Sequence, residues 1–208
     1  MKNKNVIIFL IIAAIVIILL IISSSNFFPS AYEKYYAGDV RHFRGNLIEA
    51  EKIPVYPNEE AIKNILLNSE VFKIYIAYFP NETENAYFAA SSFEITNKLG
   101  IIFRHNLDAN VGTFKDTDNS SCLFFYSTNQ TRCFKSFPIN STDELFPTFI
   151  EPVILLLGPS HANKIAVTVD EEYNYLIILE GKSFEEVDRS YTDLDLAVDK
   201  MLLVLMED

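Results

Sequence analysis

The stretch from Gly158 to Ile165 comes nearest to a chemical motif in this chain. It reads Gly-Pro-Ser-His-Ala-Asn-Lys-Ile after an apolar run, and a glycine with Lys164 six positions on invites comparison with a phosphate-binding loop. Such a loop needs a second glycine before the lysine, so that consecutive backbone N–H groups wrap the phosphates. It also needs a hydroxyl after the lysine to hold Mg²⁺. Asn163 and Ile165 stand at those two positions. The residues after Lys164 read as a strand, whereas a phosphate is met by a helix N-terminus. The stretch is expected to be a plain Gly-Pro turn.

The other reactive residue types are scattered. Asp116-Thr-Asp118-Asn119 opens like a calcium loop, yet Ser121 and Ser127 occupy the places where such a loop needs Gly and Glu. His42, His105 and His161 lie far apart and show no metal-ligand spacing. Ser160 and His161 supply two members of a Ser-His-Asp triad, but no Gly-x-Ser-x-Gly elbow raises the serine for attack. Glu185-Glu-Val-Asp188, with Asp193, Asp195 and Asp199, reads as a solvated helical face rather than a glycosidase pair. No catalytic, cofactor-binding or metal-ligating residue is assigned.

Cys122 and Cys133 are the two cysteines. Aromatic runs follow each of them, and Thr128-Asn-Gln-Thr131 lies between, a pattern that predicts a β-hairpin. Folding it about Ser127-Thr128 sets the two thiols opposite each other, and a disulfide is expected in an oxidising compartment. Asn81, Asn119, Asn129 and Asn140 each open an Asn-x-Ser/Thr triplet, and three of the four crowd into Asn119–Thr142. They are candidate glycosylation sites on exposed loops.

The elements that position these residues follow from periodicity and punctuation. Residues 40–56 read as extended, with Pro54 and Pro57 opposing a helix. Asn58 is a candidate N-cap for a short helix burying Ile62, Ile65 and Leu66. Val71–Phe79 alternates as a strand. Thr83 then caps a helix through Phe88, Ile95 and Leu99 that stops at Gly100, and residues 101–104 continue as a strand. Residues 107–121 look polar and irregular. Val153–Leu157 is a continuous apolar strand of the kind buried on both faces. Residues 165–169 and 175–179 suggest a second hairpin, and Thr192 opens a last helix with an apolar stripe from Leu194 to Leu205.

At the N-terminus, Lys2 and Lys4 precede the unbroken apolar run Val6–Ile22 and then Ser23-Ser24-Ser25-Asn26. A helix of that run spans about 25 Å, close to the roughly 30 Å hydrocarbon core of a bilayer. Residues 1–26 are therefore expected to be a membrane anchor, or alternatively a signal peptide cut after Ser25, with the lysines cytoplasmic. The chain carries 17 basic against 28 acidic residues, and the part beyond the anchor is near −13. Such a balance repels phosphate backbones and argues against nucleic acid as a partner.

The expected architecture is α+β. One N-terminal transmembrane helix precedes a juxtamembrane segment at 27–57 and one extracytoplasmic mixed α/β domain at 58–208 with a disulfide-linked hairpin. The expected partners are the bilayer, through residues 6–22, and a protein at the cell surface, with the oligomeric state open. The expected function is a non-enzymatic binding or structural module of the cell envelope. The alternative is a membrane-tethered hydrolase with catalytic residues scattered in sequence. A pocket with convergent titratable groups favours the enzyme, and a flat or apolar patch favours binding.

Overall fold

A computed structural model describes residues 30–104, 108–117, 120–125, 130–134, 148–170, 175–184 and 190–207. The chain divides into two compact units, Met1–His42 and Phe43–Asp208. Within the described part of the first, β1 (Glu33–Tyr36) and β2 (Asp39–His42) form an antiparallel hairpin. Its turn uses Ala37 at φ 51° and Gly38 at φ 85°, left-handed values that glycine adopts freely. Glu33 and His42 face each other across it, with Oε1 and Nδ1 3.1 Å apart.

The second unit holds a mixed sheet with four helices among the described residues. Its strands are β3 (Val55–Tyr56), β4 (Lys73–Tyr78), β5 (Asp108–Thr117), β6 (Ser120–Phe125), β7 (Gln130–Phe134), β8 (Val153–Leu157), β9 (Ala166–Val169) and β10 (Leu176–Glu180). The spatial order is β3-β9-β10-β8-β4-β5-β6-β7. The central strands β10, β8, β4 and β5 run parallel, while β9 pairs antiparallel with β10 and the β5-β6-β7 side is an antiparallel meander. The helices are α1 (Leu47–Ala50), α2 (Glu59–Leu66), α3 (Asn85–Ile102) and α4 (Asp193–Leu205).

The parallel centre of the sheet is buried. All five residues of β8 are buried, as expected for a strand covered on both faces. Tyr75, Ala77, Val153, Leu155, Leu157 and Leu176 pack as one cluster, and the alternating residues Ile74, Ile76, Ile154, Leu156, Ile177 and Leu179 are buried as well. Removing one such leucine typically costs about 2–5 kcal/mol. Helix α4 packs on β9 and β10 and against α1, α2 and α3. Every one of its residues is buried.

Several local expectations hold. Asn58 caps α2 by accepting from the Ala61 N–H at 3.0 Å. The β9–β10 hairpin forms, and the β6–β7 hairpin sets position 122 opposite 133. Others need correcting. A one-turn helix, α1, capped by Asn46, interrupts the segment expected to be extended. Helix α3 starts after Glu84, whose side chain makes no capping bond, rather than after a Thr83 cap, and it runs through Gly100 to Ile102, where a strand was expected. The left-handed stop falls on Arg104, at φ 52°. The polar residues 108–117 form β5, because β4 on one side and β6 on the other satisfy their backbone groups.

The membrane-anchored architecture and the single-pass localisation are corrected too. Among the described residues no helix is long and apolar enough to cross a membrane. The longest, α3, carries Glu94 and Lys98 near its middle. The run Val6–Ile22 lies outside the described residues. The disulfide is likewise unsupported, since no bridged cysteine pair occurs among the described residues. Opposed register is a relation between backbones, whereas a disulfide also requires closely approached Cβ atoms and a set dihedral. The side chains of Cys122 and Cys133 lie outside the described residues.

Candidate functional site

Strands β4, β8 and β10 point the same way, so the segments that leave them gather at one edge of the sheet. In open sheets with parallel strands, ligands bind outside those carboxyl ends. Three segments meet there: residues 79–84 before α3, the turn after β8, and Gly181–Phe184 after β10. Thr83, Glu84, Tyr87, Pro159, Lys182, Ser183 and Phe184 line a crevice of about 570 Å³, within the range that suits a small ligand.

Glu84 anchors this edge. It is 4% exposed, and its Oε1 accepts from both the Ser160 N–H, at 3.0 Å, and the Ser160 hydroxyl, at 2.6 Å. Asn81 Nδ2 donates to the same hydroxyl at 2.9 Å. Asn81 Oδ1 in turn accepts from the Thr83 N–H and hydroxyl, at 3.1 and 2.8 Å. Four polar side chains from two loops distant in sequence thus hold each other. Glu84 Oε2 is buried and has no hydrogen-bond partner among the described residues.

Gly158 lies against two of the lining residues, Glu84 and Phe184, and against Phe88. A Cβ there would lie 2.8 Å from Glu84 Oε2, 2.8 Å from Phe184 Cζ and 3.0 Å from Phe88 Cζ. The bare backbone lets all three approach, and the N–H groups of His161 and Ala162 close the turn onto the Gly158 carbonyl at 2.9 and 2.8 Å. Aromatic rings form one wall. Tyr87 stacks on Phe184 at 4.3 Å between centroids, and Phe88 meets Phe184 edge-on at 6.0 Å.

The near-phosphate loop is a turn, as expected. Lys164 reaches Glu180 at 3.1 Å and lies over the Tyr56 ring at 5.2 Å, and the chain continues into β9 rather than a helix. His161 stacks on Phe79 at 4.6 Å, and His42 pairs with Glu33 in the first unit. Among the sequon asparagines, Asn81 belongs to the crevice network. Asn119, Asn129 and Asn140, with His105, Asp118 and the run Glu185–Asp188, lie outside the described residues, as does the side chain of Asp116. Among the described residues no group of three or more His, Cys, Asp or Glu is arranged to hold a metal ion.

The acidic face expected on the last helix is not solvated. Asp193, Asp195 and Asp199 are 1%, 2% and 0% exposed. Asp195 completes a capping box with Thr192 and pairs with Arg44 Nε at 2.8 Å. Asp199 Oδ2 accepts from the Gly45 N–H at 2.6 Å, while its Oδ1 is buried with no hydrogen-bond partner among the described residues. Burial, reinforced by the charges of Glu94 and Asp195, lifts the Asp199 carboxyl to about 8 against the opposing effects of the Gly45 N–H and Lys98. The partners come from the segment before α1 and from α3, so spacing along the last helix carried no sign of them. Glu84 was missed for the same reason, because its partner Ser160 is far along the chain.

No protein-family model matches the chain, and no curated protein or solved structure is significantly similar to it.

Proposed function

We propose that this chain is a non-enzymatic binding module whose small ligand seats in the crevice at the carboxyl ends of β4, β8 and β10. The observation that carries this reading is the crevice itself, where a stacked Tyr87–Phe184 wall, the hydroxyl-bearing Thr83 and Ser183, Lys182 and the buried Glu84 share one concavity. Apolar walls with a few fixed polar groups are what small-molecule sites are made of. The placement of His161 supports binding over triad chemistry, since it stacks on Phe79 rather than bonding to the Ser160 hydroxyl, which meets Glu84 and Asn81.

The test is a panel of small polar and aromatic fragments added to the full chain, read as a rise in Tm. A fragment present at a hundred times its Kd adds about 2.7 kcal/mol, which in a chain of this size raises Tm by several degrees. Tyr87→Ala is expected to abolish the rise. A panel that moves Tm of neither protein, or of both equally, removes the crevice as the binding site. The 2.6 Å contact between Ser160 Oγ and a carboxylate favours one second reading, a hydrolase with Ser160 as nucleophile and Glu84 as base. Covalent labelling of Ser160 by a fluorophosphonate would establish that reading in place of the first.

A further inference from the structure

Asp199 sits midway along α4 with none of its surface exposed. Its Oδ2 takes a single donor, the Gly45 N–H, and its Oδ1 has no hydrogen-bond partner among the described residues. An ionised carboxylate so enclosed needs several donors or a close cation to replace the water it has lost. Its charged neighbours do not supply them. On its own helix, Asp195 carries the same sign and is already paired with Arg44. From α3, Glu94 also carries the same sign and binds Lys98, whose ammonium lies over the Phe43 ring at 4.5 Å. Lys98 favours the charge on Asp199, but less than burial, Glu94 and Asp195 each oppose it. Lys200, the next residue of α4, turns to Glu59 of α2 and to the Glu51 carbonyl.

The elements around this acid differ in how easily they give way. Helix α4 is packed on the sheet and against three other helices, and α3 is 18 residues long. Phe43–Gly45 is a short non-helical stretch between β2 and α1. The Gly45–Asp199 bond, the Arg44–Asp195 pair and the seat of Phe43 under Lys98 hold it down. Arg44 is 38% exposed, so water already reaches this stretch from outside. Segments held by few contacts open at a small fraction of the cost of global unfolding.

We propose that Phe43–Gly45 is a pH-operated latch, closed over α4 while Asp199 holds its proton and released when that proton leaves to solvent. Opening brings water to both carboxylate oxygens and exchanges one N–H donor for a hydration shell. The chain enters its second unit through this stretch, so release frees the start of that unit and leaves the sheet in place. In the closed form burial, with Glu94 and Asp195, lifts the carboxyl to about 8, against an ordinary 3.8 in water. The ratio of open to closed chains therefore rises between those values, by up to about tenfold per pH unit, and levels off above the upper one.

Limited trypsin digestion of the full chain between about pH 6.5 and 9 tests this. Initial rates are normalised to a chromogenic arginine substrate in the same reaction, which removes the protease's own pH dependence. Mass spectrometry follows two bonds. Arg44–Gly45 lies in the latch, whereas Lys98–Leu99 lies within α3 with both side chains buried and is cut only after global unfolding. Cleavage after Arg44 is expected to increase on the order of tenfold and to level off above about pH 8. Cleavage after Lys98 should stay well below it throughout. Asp199→Asn should hold the Arg44 rate low and flat. If that variant fails to fold, the profile of the unaltered chain decides. A flat profile overturns the latch, and so do equal rates at the two bonds, which would mean that only global unfolding exposes Arg44. A rise that persists in Asp199→Asn assigns the opening to another group and overturns it as well.

Discussion

The backbone N–H of Gly45 donates to Asp199 Oδ2 at 2.6 Å, tying the segment before α1 to the middle of α4 across 154 positions of sequence. Gly45 has no room for a side chain, since a Cβ would stand 2.7 Å from that same oxygen. Arg44, one residue earlier, pairs with Asp195 one turn back on the helix. Consecutive residues of one short segment thus meet two buried acids.

Asp199 makes stability depend on pH in a direction opposite to that of most carboxylates. Its folded value of about 8 lies above the ordinary 3.8, so the folded chain keeps a proton that the unfolded chain releases. Its contribution is fully present below about pH 4, declines as pH rises and is lost by about pH 8, at a slope of at most about 1.4 kcal/mol per pH unit. Asp199→Asn keeps the shape and the acceptor for Gly45 while removing the titration. Urea unfolding of both proteins between pH 4 and 9 should show the variant gaining on the parent as pH rises. Parallel profiles would refute the assignment.

Gly181 lies against the start of α4, where a Cβ would come within 2.4 Å of Leu194 N and 2.7 Å of Leu194 Cα. Backbone cannot give way as a side-chain tip can. Gly181→Ala is therefore expected to lower stability by roughly 1–3 kcal/mol, read from the urea midpoint. An unchanged midpoint would mean that α4 does not sit this close to the end of β10.

Thr192 opens α4 with a reciprocal cap. Its hydroxyl accepts from the Asp195 N–H at 3.1 Å, and Asp195 Oδ2 accepts from the Thr192 N–H at 2.9 Å. Thr192→Ala should cost about 1 kcal/mol and Thr192→Ser much less. Calorimetric Tm values separate the two variants. Equal losses would assign the effect to the lost methyl contact rather than to the cap.

Ser160→Ala removes the hydroxyl that joins Glu84 to Asn81. The N–H of residue 160 still reaches Glu84, so a loss of about 1–2 kcal/mol is expected rather than unfolding. Ligand affinity in the crevice should change by no more than a few-fold, since Ser160 is not among the residues that line it. A loss of all binding, measured with the same fragment panel, would place Ser160 itself on the ligand.

How far the fold was legible depended on how local its causes are. Asn58 before two glutamates announces α2, because the cap, the helix dipole and the apolar spacing all act within one turn. Val153–Leu157 announces a central strand by composition alone. Gly100 misled, because a glycine tolerated inside a packed helix looks the same in sequence as one that ends it. β5 was hidden because its polar residues are held by pairing on both sides, a tertiary cause. The acids of α4 misled most. Charge at helical spacing reads as solvated unless the distant Arg44 and Gly45 are known. The candidate site was visible only as a suspicious turn at Gly158–His161, and Glu84 was not visible at all.

The parallel pairing of β4 with β8 bears on the kinetics of folding. Tyr75 sits beside Val153 in the sheet, although α3 and the whole β5–β7 meander intervene along the chain. Closing a loop of that length must precede any return from the contacts it brings together. The β9–β10 hairpin needs no such closure, since its strands are separated by a short connection. The last hairpin is thus free to form early and wait as a template, with β8 arriving on its open side and β4 following. Pulsed hydrogen exchange during refolding should protect the Thr168 and Asp170 amides, which face β10, before those of Tyr75 and Leu155, making the centre of the finished sheet among the last of its parts to assemble.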